Sequence, residues 1–171
     1  NEAVDPYAYS VAANGDKGAV VDLTKTDPKV WKPNEKPKFT NLNDAIIYEL
    51  HVRDFSINKN SGINNKGKFL AFTELGTKGI DGKPTGIDYI KSLGVTHVEL
   101  MPIFDFSTIN ETSNKPQFNW GYNPKNYNAP EGSYSTDPYN PITRVKELKQ
   151  GVQALHDNGL RVNMDVVYDH M

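Results

Sequence analysis

Three runs of apolar and β-branched residues divide the chain, at residues 45–53, 95–101 and 160–167. None of them alternates strictly between apolar and polar positions, which is typical of strands that are buried on both faces, as in a parallel sheet. The residues before the first run are polar and punctuated by proline, a composition that indicates a linker or the edge of a domain. The sequence therefore predicts three core strands after a polar N-terminal segment.

Helical patterns precede the second and third predicted strands. Apolar residues at three-residue spacing run from Ile87 to Leu93 and end at Gly94, which is a plausible left-handed cap. In the second pattern, Thr143 is predicted to cap the start and Gly159 to close the end. The apolar stripe of this second helix consists of Val145, Leu148, Val152 and Leu155. An order of strand, helix, strand, helix, strand predicts parallel βαβ units with right-handed crossovers.

The connections between these elements are unequal in length. Long polar segments follow the first and second predicted strands, whereas only one or two residues separate each helix from the next strand. In a parallel α/β sheet or barrel, the loops at the carboxyl ends of the strands form the active site. The pattern therefore places the long loops on the side where chemistry is expected.

Residues capable of binding or catalysis follow the second and third predicted strands. Asp165 lies within an apolar run, where a carboxylate needs a cationic or hydrogen-bonding partner, and Asp169 and His170 come next. In the loop after the second strand, aromatic side chains flank Gly121 within residues 118–124. Such rings suit stacking on the faces of sugars, although ordinary packing within a loop is an equally simple explanation.

Composition narrows the classes of partner. The chain has 19 lysine and arginine residues against 21 aspartate and glutamate residues, with no basic run, which argues against a nucleic-acid partner. It contains no cysteine, so disulfides and thiolate metal sites are excluded. No stretch approaches the roughly 18 apolar residues of a membrane-spanning helix. We therefore predict a globular protein that binds an uncharged ligand and has no membrane span.

Four segments together resemble the alpha-amylase superfamily of glycoside hydrolases and, within it, the type I pullulanases. Residues 45–56 and 94–106 are similar to the first and second strands of the family's barrel. Residues 119–135 are similar to its Asn-Trp-Gly-Tyr motif with a Pro-Glu-Gly-Ser-Tyr continuation. Residues 164–170 resemble the first region that the superfamily shares, at the end of the third strand. The order and spacing of these motifs favour this family over a generic doubly wound α/β domain.

The resemblance implies an α/β fold made of the first three βα units of an incomplete (β/α)8 TIM barrel. Residues 4–8 and 18–23 are similar to the tail of the β-sandwich module that precedes this barrel. We accordingly assign residues 1–30 to the end of that module and a linker, and residues 31–171 to the N-terminal part of the catalytic barrel. A complete barrel needs about 250 residues. We therefore expect the remaining barrel to be supplied by the rest of the same protein or by a second polypeptide.

The family's binding residues can be carried over to five positions. The resemblance implies that Tyr122 stacks on the sugar ring at the cleavage subsite and that His170 hydrogen-bonds the hydroxymethyl group of that sugar. Asp165 would be a supporting carboxylate, and Asn119 and Trp120 would shape the pocket around the branch. In the family, the nucleophilic aspartate and the acid glutamate come from the fourth and fifth strands. We therefore predict no catalytic residue in this chain and expect the chain alone to be inactive.

The chain departs from the family pattern at three positions. Phe118, Asn123 and Asp169 stand where the family often has tyrosine, aspartate and asparagine. The position of Asp169 is often a calcium ligand in amylase relatives, and a carboxylate suits that cation. We predict no cofactor and no metal ligand in the chain, with calcium at Asp169 as the alternative. His51 and His97 lie within predicted strands and are interpreted as hydrogen-bonded core histidines.

The function implied by the resemblance is starch debranching. The parent protein would hydrolyse α-1,6-glucosidic linkages in pullulan, amylopectin and limit dextrins by a retaining mechanism, with an α-glucan as its partner. Two alternatives remain: another glucan hydrolase or branching enzyme of the same superfamily, and a non-catalytic glucan-binding protein with the same aromatic rim. We expect a secreted bacterial protein, with a cytoplasmic location as the alternative.

Overall fold

The computed structural model describes residues 3–168, and a parallel sheet forms its centre. In chain order the strands and α-helices of these residues are β1 (Ile47–Leu50), α1 (Gly86–Ser92), β2 (His97–Leu100), β3 (Phe104–Phe106), β4 (Pro124–Pro130), α2 (Pro141–Asp157) and β5 (Arg161–Met164). Strands β1, β2 and β5 are parallel, with β2 in the middle. The prediction of three parallel core strands is therefore confirmed, although each strand is shorter than its apolar run.

The first strand is short because the chain turns directly after Leu50. The backbone nitrogen of Phe55 donates to the carbonyl oxygen of His51 at 2.9 Å, which closes a turn where the apolar run predicted more strand. Val52 is nevertheless buried in this turn. The apolar character of residues 45–53 thus reflects burial of the turn as well as of the strand.

Helix α1 ends as predicted, but its buried face is narrower than the sequence suggests. Gly94 has a φ of 71°, the left-handed conformation that closes a helix. Ile87 and Ile90 are buried, whereas Leu93 is 44% exposed. Leu93 continues the three-residue spacing but follows the last helical residue, Ser92, as the C-cap.

Helix α2 begins earlier than predicted. Asn140 is its N-cap, and its side-chain oxygen accepts a hydrogen bond from the backbone nitrogen of Ile142 at 3.0 Å. Pro141 occupies the first helical position, where its missing N–H has no cost. The prediction of Thr143 as the cap is therefore wrong, while Gly159, with a φ of 80°, closes the end as predicted.

A two-stranded ribbon within the second long loop was not predicted. Strands β3 and β4 pair antiparallel with an irregular register. Strand β3 has three residues, and β4 begins and ends at proline, a residue that usually interrupts strands. The ribbon projects from the carboxyl end of β2 and carries the aromatic motif in the segment between its strands.

The N-terminal segment packs against the ribbon and helix α2. The backbone nitrogen of Asn14 donates to the Glu111 carboxylate, and that of Glu111 donates to the Asn14 side chain, both at 2.8 Å. Farther along, the Lys149 ammonium donates to the Thr26 hydroxyl at 2.7 Å. Residues 3–26 contain short 3-10 turns and one isolated β-bridge. The division of the chain at residue 30 stays a prediction.

A buried charge cluster joins these segments. Arg144 of α2 is 0% exposed, and its guanidinium donates to Glu111 at 2.8 and 3.1 Å. It also lies 3.4 Å from Asp105 of β3. Glu131, directly after β4, lies close enough to both carboxylates that the three could share one ion. We refer to Asp105, Glu111, Glu131 and Arg144 as the buried charge cluster.

The cluster has more acidic groups than cations. Burial raises the pKa of Asp105 to about 7 and that of Glu131 to about 8. Arg144 is the cation in direct contact, while Lys68 from the loop after β1 interacts with Glu131 and Glu111 at longer range. Because one guanidinium faces three carboxyl groups away from water, the cluster retains a proton near neutral pH.

This retention makes folding stability depend on pH. The folded pKa values of Asp105 and Glu131 exceed their ordinary values, so the stabilisation is present at low pH and is lost as the pH rises through the folded values. For the intact protein that carries this chain, we expect the melting temperature to fall from about pH 4, where the carboxyls of the unfolded chain lose their protons, to about pH 8. The loss should be about 1.4 kcal/mol per pH unit for each proton that the folded cluster retains after the unfolded chain has released it.

Glu131→Gln removes one titrating group and should flatten this dependence. Asp81→Asn, in an exposed loop, is the matched control and should leave it unchanged. Thermal unfolding of the three proteins across the pH series measures the difference. Equal slopes in all three would contradict the assignment of the proton to the cluster.

Candidate functional site

The three parallel strands end at one level, and the candidate site lies at this edge. The backbone nitrogen of Met101 donates to the carbonyl of Leu50, and that of Asp165 donates to the carbonyl of Leu100, both at 2.9 Å. The loops after β1 and β2 and residues 165–168 all leave from this edge. The fold therefore places the long polar loops at the carboxyl ends of the strands, as the sequence predicts.

Tyr122 and Asp165 are in direct contact at this edge. The Tyr122 hydroxyl donates to Asp165 Oδ2 at 2.6 Å across 43 residues of sequence. The Tyr122 hydroxyl is thus the hydrogen-bonding partner that a carboxylate at the end of an apolar strand requires. The bond, followed by burial, raises the pKa of Tyr122 to about 12, so the phenol is a hydrogen-bond donor at neutral pH. Tyr122 is 39% exposed and therefore remains accessible to a ligand.

Asn119 organises the loop that carries Tyr122. Its side-chain oxygen accepts from the backbone nitrogen of Gly121 at 2.8 Å. Its side-chain nitrogen lies within 2.7 to 2.9 Å of the Ser107 carbonyl, the Thr108 hydroxyl and the Asn123 side-chain oxygen. The amide is thus fully engaged within the loop, so Asn119 shapes the pocket through the backbone that it fixes.

The backbone on both sides of this amide adopts unusual conformations. Gly121 has a φ of 93°, and a Cβ atom at this position would lie 2.6 Å from the Pro102 carbonyl oxygen. Only glycine allows this close approach of the loop to the chain leaving β2. Thr108, which contacts Asn119, has a φ of 74°, a strained conformation for a β-branched residue. The position of Tyr122 is therefore tightly specified by its neighbours.

His51 supports the base of the loop. Its Nε2 lies 2.8 Å from the Asn119 carbonyl oxygen and 3.1 Å from the Tyr134 hydroxyl. Nδ1 accepts from the backbone nitrogen of Asp54 at 3.4 Å, which is consistent with the hydrogen residing on Nε2. Burial raises the pKa of Tyr134 well above its ordinary value. The structural role expected for His51 agrees with these contacts, but sequence reasoning missed that it supports the candidate site.

An aromatic rim surrounds the loop. Trp120 is 59% exposed, and its ring packs edge-on against Phe118 with centroids 5.1 Å apart. The Arg53 guanidinium lies 5.8 Å from the centre of the Phe118 ring on the other side. Phe118, Trp120 and Tyr122, which flank Gly121, are all exposed. Phe118 therefore serves as a packing surface, for which the hydroxyl of the more usual tyrosine is unnecessary.

A second contact joins the ribbon to the end of β5. The rings of Tyr127 and Tyr168 are stacked, with centroids 5.7 Å apart and planes at 25°. Together with the bond between Tyr122 and Asp165, this stack brings the residues before His170 beside the aromatic loop. His170 and Asp169 themselves lie outside the described residues, so their predicted roles stay predictions.

The arrangement can bind an uncharged ligand. Exposed rings offer apolar faces, and the pair of Tyr122 and Asp165 offers hydrogen-bonding groups beside them. Among residues 3–168, one group of three acidic side chains could hold a metal ion, Asp105 with Glu111 and Glu131. Arg144 already supplies the positive charge there. Within the same residues, no helix is long and apolar enough to cross a membrane.

Comparisons of the sequence with known proteins indicate one family. A family model described as the alpha amylase catalytic domain matches residues 28–171. The pullulanase of Bacillus subtilis is 50% identical over 170 residues, which cover 99% of this chain and 23% of that protein. The chloroplastic pullulanase 1 of Arabidopsis thaliana is 36% identical over 203 residues, covering 99% of this chain and 20% of that protein.

A solved structure supports the same relationship. The pullulanase of Paenibacillus barengoltzii in complex with maltohexaose and alpha-cyclodextrin superposes with a TM-score of 0.96 at 58% identity. The match covers 99% of this chain and 27% of that one. The chain thus spans about a quarter of the length of these relatives. With its parallel sheet and its aromatic motif, the chain belongs to the alpha-amylase catalytic-domain family and corresponds to the N-terminal portion of a pullulanase barrel.

Proposed function

We propose that the protein carrying this chain is a starch-debranching hydrolase. It cleaves α-1,6-glucosidic linkages in pullulan, amylopectin and limit dextrins with retention at the anomeric carbon. The observation that carries the proposal is the Tyr122 side chain, held by Asp165 at the carboxyl edge of the sheet in a chain 50% identical to a pullulanase. The relative crystallised with maltohexaose and alpha-cyclodextrin favours an α-glucan as the ligand.

Five residues of this chain form its share of the proposed substrate site. Tyr122 stacks on the sugar at the cleavage subsite, and Asp165 fixes the hydroxyl end of that ring. Trp120 lines the pocket around the branch, and Asn119 shapes this pocket through the loop. His170 hydrogen-bonds the hydroxymethyl group of the same sugar.

The bond-breaking groups are proposed to lie outside this chain. Retaining hydrolysis needs two carboxyl groups about 5 to 5.5 Å apart, one as nucleophile and the other as acid and then base. We propose that these come from further barrel strands, in the same polypeptide or in a second one. In the described sheet, β1 and β5 each have one neighbour, so each has an edge that another strand can extend.

A pair of carboxylates supports this need for further strands. Glu49 of β1 and Glu99 of β2 are directly opposite each other in register. Neither forms an ion pair with another residue in the part of the chain that the structure describes. Like charges in opposite positions repel each other. A cationic side chain from the remaining barrel would relieve this repulsion.

The alternatives have different products. Another glucan hydrolase or a branching enzyme would cleave or transfer other linkages, and a glucan-binding protein would release no sugar. Secretion from a bacterial cell stays a prediction, with a cytoplasmic location as its alternative.

Pullulan distinguishes these functions. It contains α-1,6 linkages between maltotriose units, so a debranching enzyme should convert it to maltotriose. We expect the intact protein to release maltotriose, identified by chromatography, with the β-anomeric signal absent from the first NMR spectra. Release of other oligosaccharides would favour the other hydrolases, and binding without any release would favour the glucan-binding protein.

Tyr122 should contribute through both its ring and its hydroxyl. Tyr122→Phe removes the bond to Asp165, and we expect kcat/KM on pullulan to fall about tenfold. Tyr122→Ala also removes the stacking surface, and the loss should reach about 100-fold. Tyr139→Ala, at an exposed tyrosine outside the site, is the matched control. Full activity of Tyr122→Ala would show that Tyr122 does not belong to the proposed subsite.

Gly121 should be required for the position of the loop. Gly121→Ala places a Cβ atom 2.6 Å from the Pro102 carbonyl, so the loop must shift. We expect kcat/KM to fall about tenfold or more, since small displacements of a positioned group are costly. Gly82→Ala is the control, because Gly82 also has a positive φ but has nothing within 4 Å of the added atom. Equal losses in the two variants would attribute the effect to backbone strain alone.

A further inference from the structure

A cavity behind the aromatic loop borders the proposed substrate site at Asn119 but does not include Tyr122. Its volume is about 350 Å³, and it lies between the loop after β1 and the segment that connects β3 to the motif. Ser133 and Tyr134 also line it. Tyr122, Trp120 and Asp165 do not line it. The cavity is therefore available to a second ligand.

Positive charge dominates the lining of this cavity. Four cationic side chains line it: Arg53, Lys66, Lys68 and Lys115. The carboxylate among the described lining residues is Glu111, which is buried and paired with Arg144. The chain as a whole has a net charge of -2, so this concentration of cations is local. Such a concave, cationic surface attracts anions.

Lys68 is half-enclosed at the cavity and has no carboxylate of the described residues in direct contact. Its ammonium donates to the Ser133 carbonyl at 2.8 Å, and no carboxylate of residues 3–168 lies within 4 Å of it. Burial lowers its pKa, and the more distant carboxylates of Glu147, Glu131 and Glu111 offset this lowering only in part. An ammonium has three N–H donors, so an anion in the cavity can accept the remaining ones.

Lys66 is held in a similar way. Its ammonium donates to the Asn58 carbonyl at 3.0 Å and to the Ser61 hydroxyl at 2.8 Å, which are both neutral oxygen atoms. Two lysines of one loop are therefore fixed at the cavity without a carboxylate. This arrangement reduces the entropy that they would lose on binding an anion.

The lining also suits a sugar. Amide and hydroxyl side chains complete the cavity wall, namely Asn110, Ser113, Asn114 and Gln117. The volume exceeds that of a phosphate group and accommodates a hexose as well. Lysine and arginine are the usual partners of phosphate oxygens, and amides are suitable partners of sugar hydroxyls.

We propose that this cavity binds a phosphate monoester, with Lys68 and Lys66 holding the phosphate and the amides contacting an attached hexose. The proposal stands independently of the debranching function, since its site and its test involve no glycosidic bond.

Calorimetric titration of the intact protein tests this proposal. The probes are inorganic phosphate, glucose 6-phosphate and glucose, at low ionic strength. We expect glucose 6-phosphate to bind with a Kd below about 10 mM, inorganic phosphate to bind more weakly, and glucose to give no signal. Equal binding of the two phosphates would limit the site to the phosphate group and would overturn the hexose contact. Absence of binding by both would overturn the site.

Variants distinguish a site from general charge attraction. Lys68→Gln should weaken glucose 6-phosphate binding about tenfold or more, whereas Lys83→Gln, at an exposed lysine outside the cavity, should leave it unchanged. Equal weakening in both would overturn the proposal. An unchanged melting temperature and unchanged hydrolysis of pullulan in Lys68→Gln exclude misfolding as the cause. If the protein fails to hydrolyse pullulan but binds the phosphate, the debranching proposal fails alone.

Discussion

The burial of Arg144 is the interaction on which the arrangement of the loops depends. A guanidinium without contact to water must be paired, and its partners come from three other segments: Asp105 of β3, Glu111 of the following loop and the Pro130 carbonyl at the end of β4. Asn14 connects the N-terminal segment to the buried charge cluster through its hydrogen bonds with Glu111. One side chain of helix α2 thus fixes the base of the ribbon, and Lys125, Asn126 and Asn128 of β4 add hydrogen bonds to backbone carbonyls of the N-terminal segment.

The far end of the ribbon is fixed by different means. Asn119 closes the loop on itself, and the hydroxyl of Tyr122 reaches the end of the third parallel strand at Asp165. The loop also separates two electrostatic environments. Glu49 and Glu99 of the sheet act on Tyr122, whereas Lys66 and Lys68 line the cavity that Asn119 borders. The proposed glucan and the proposed anionic ligand therefore meet different charges.

Much of the sheet and part of the site could be predicted from the sequence. The three apolar runs and the glycines after the helices identified the parallel units, because burial and left-handed caps are properties of short stretches of sequence. The resemblance of residues 119–135 identified Tyr122 in the same way. The ribbon, the cap at Asn140 and the supporting role of His51 escaped prediction. Prolines obscured the ribbon, and the helix begins before Thr143 because Asn140 caps it and Pro141 fills the first helical position. The role of His51 depends on contacts with distant residues.

The sequence by itself determined the order of strands and helices, the edge at which the loops gather and the family to which the chain belongs. These follow from periodicity and from motifs that are contiguous along the chain. The tertiary structure alone decided that Arg144 is buried among three carboxyl groups and that Tyr122 meets Asp165. Both contacts join residues far apart in sequence, and a polar residue in a sequence gives no sign of whether the fold will bring it a partner away from water.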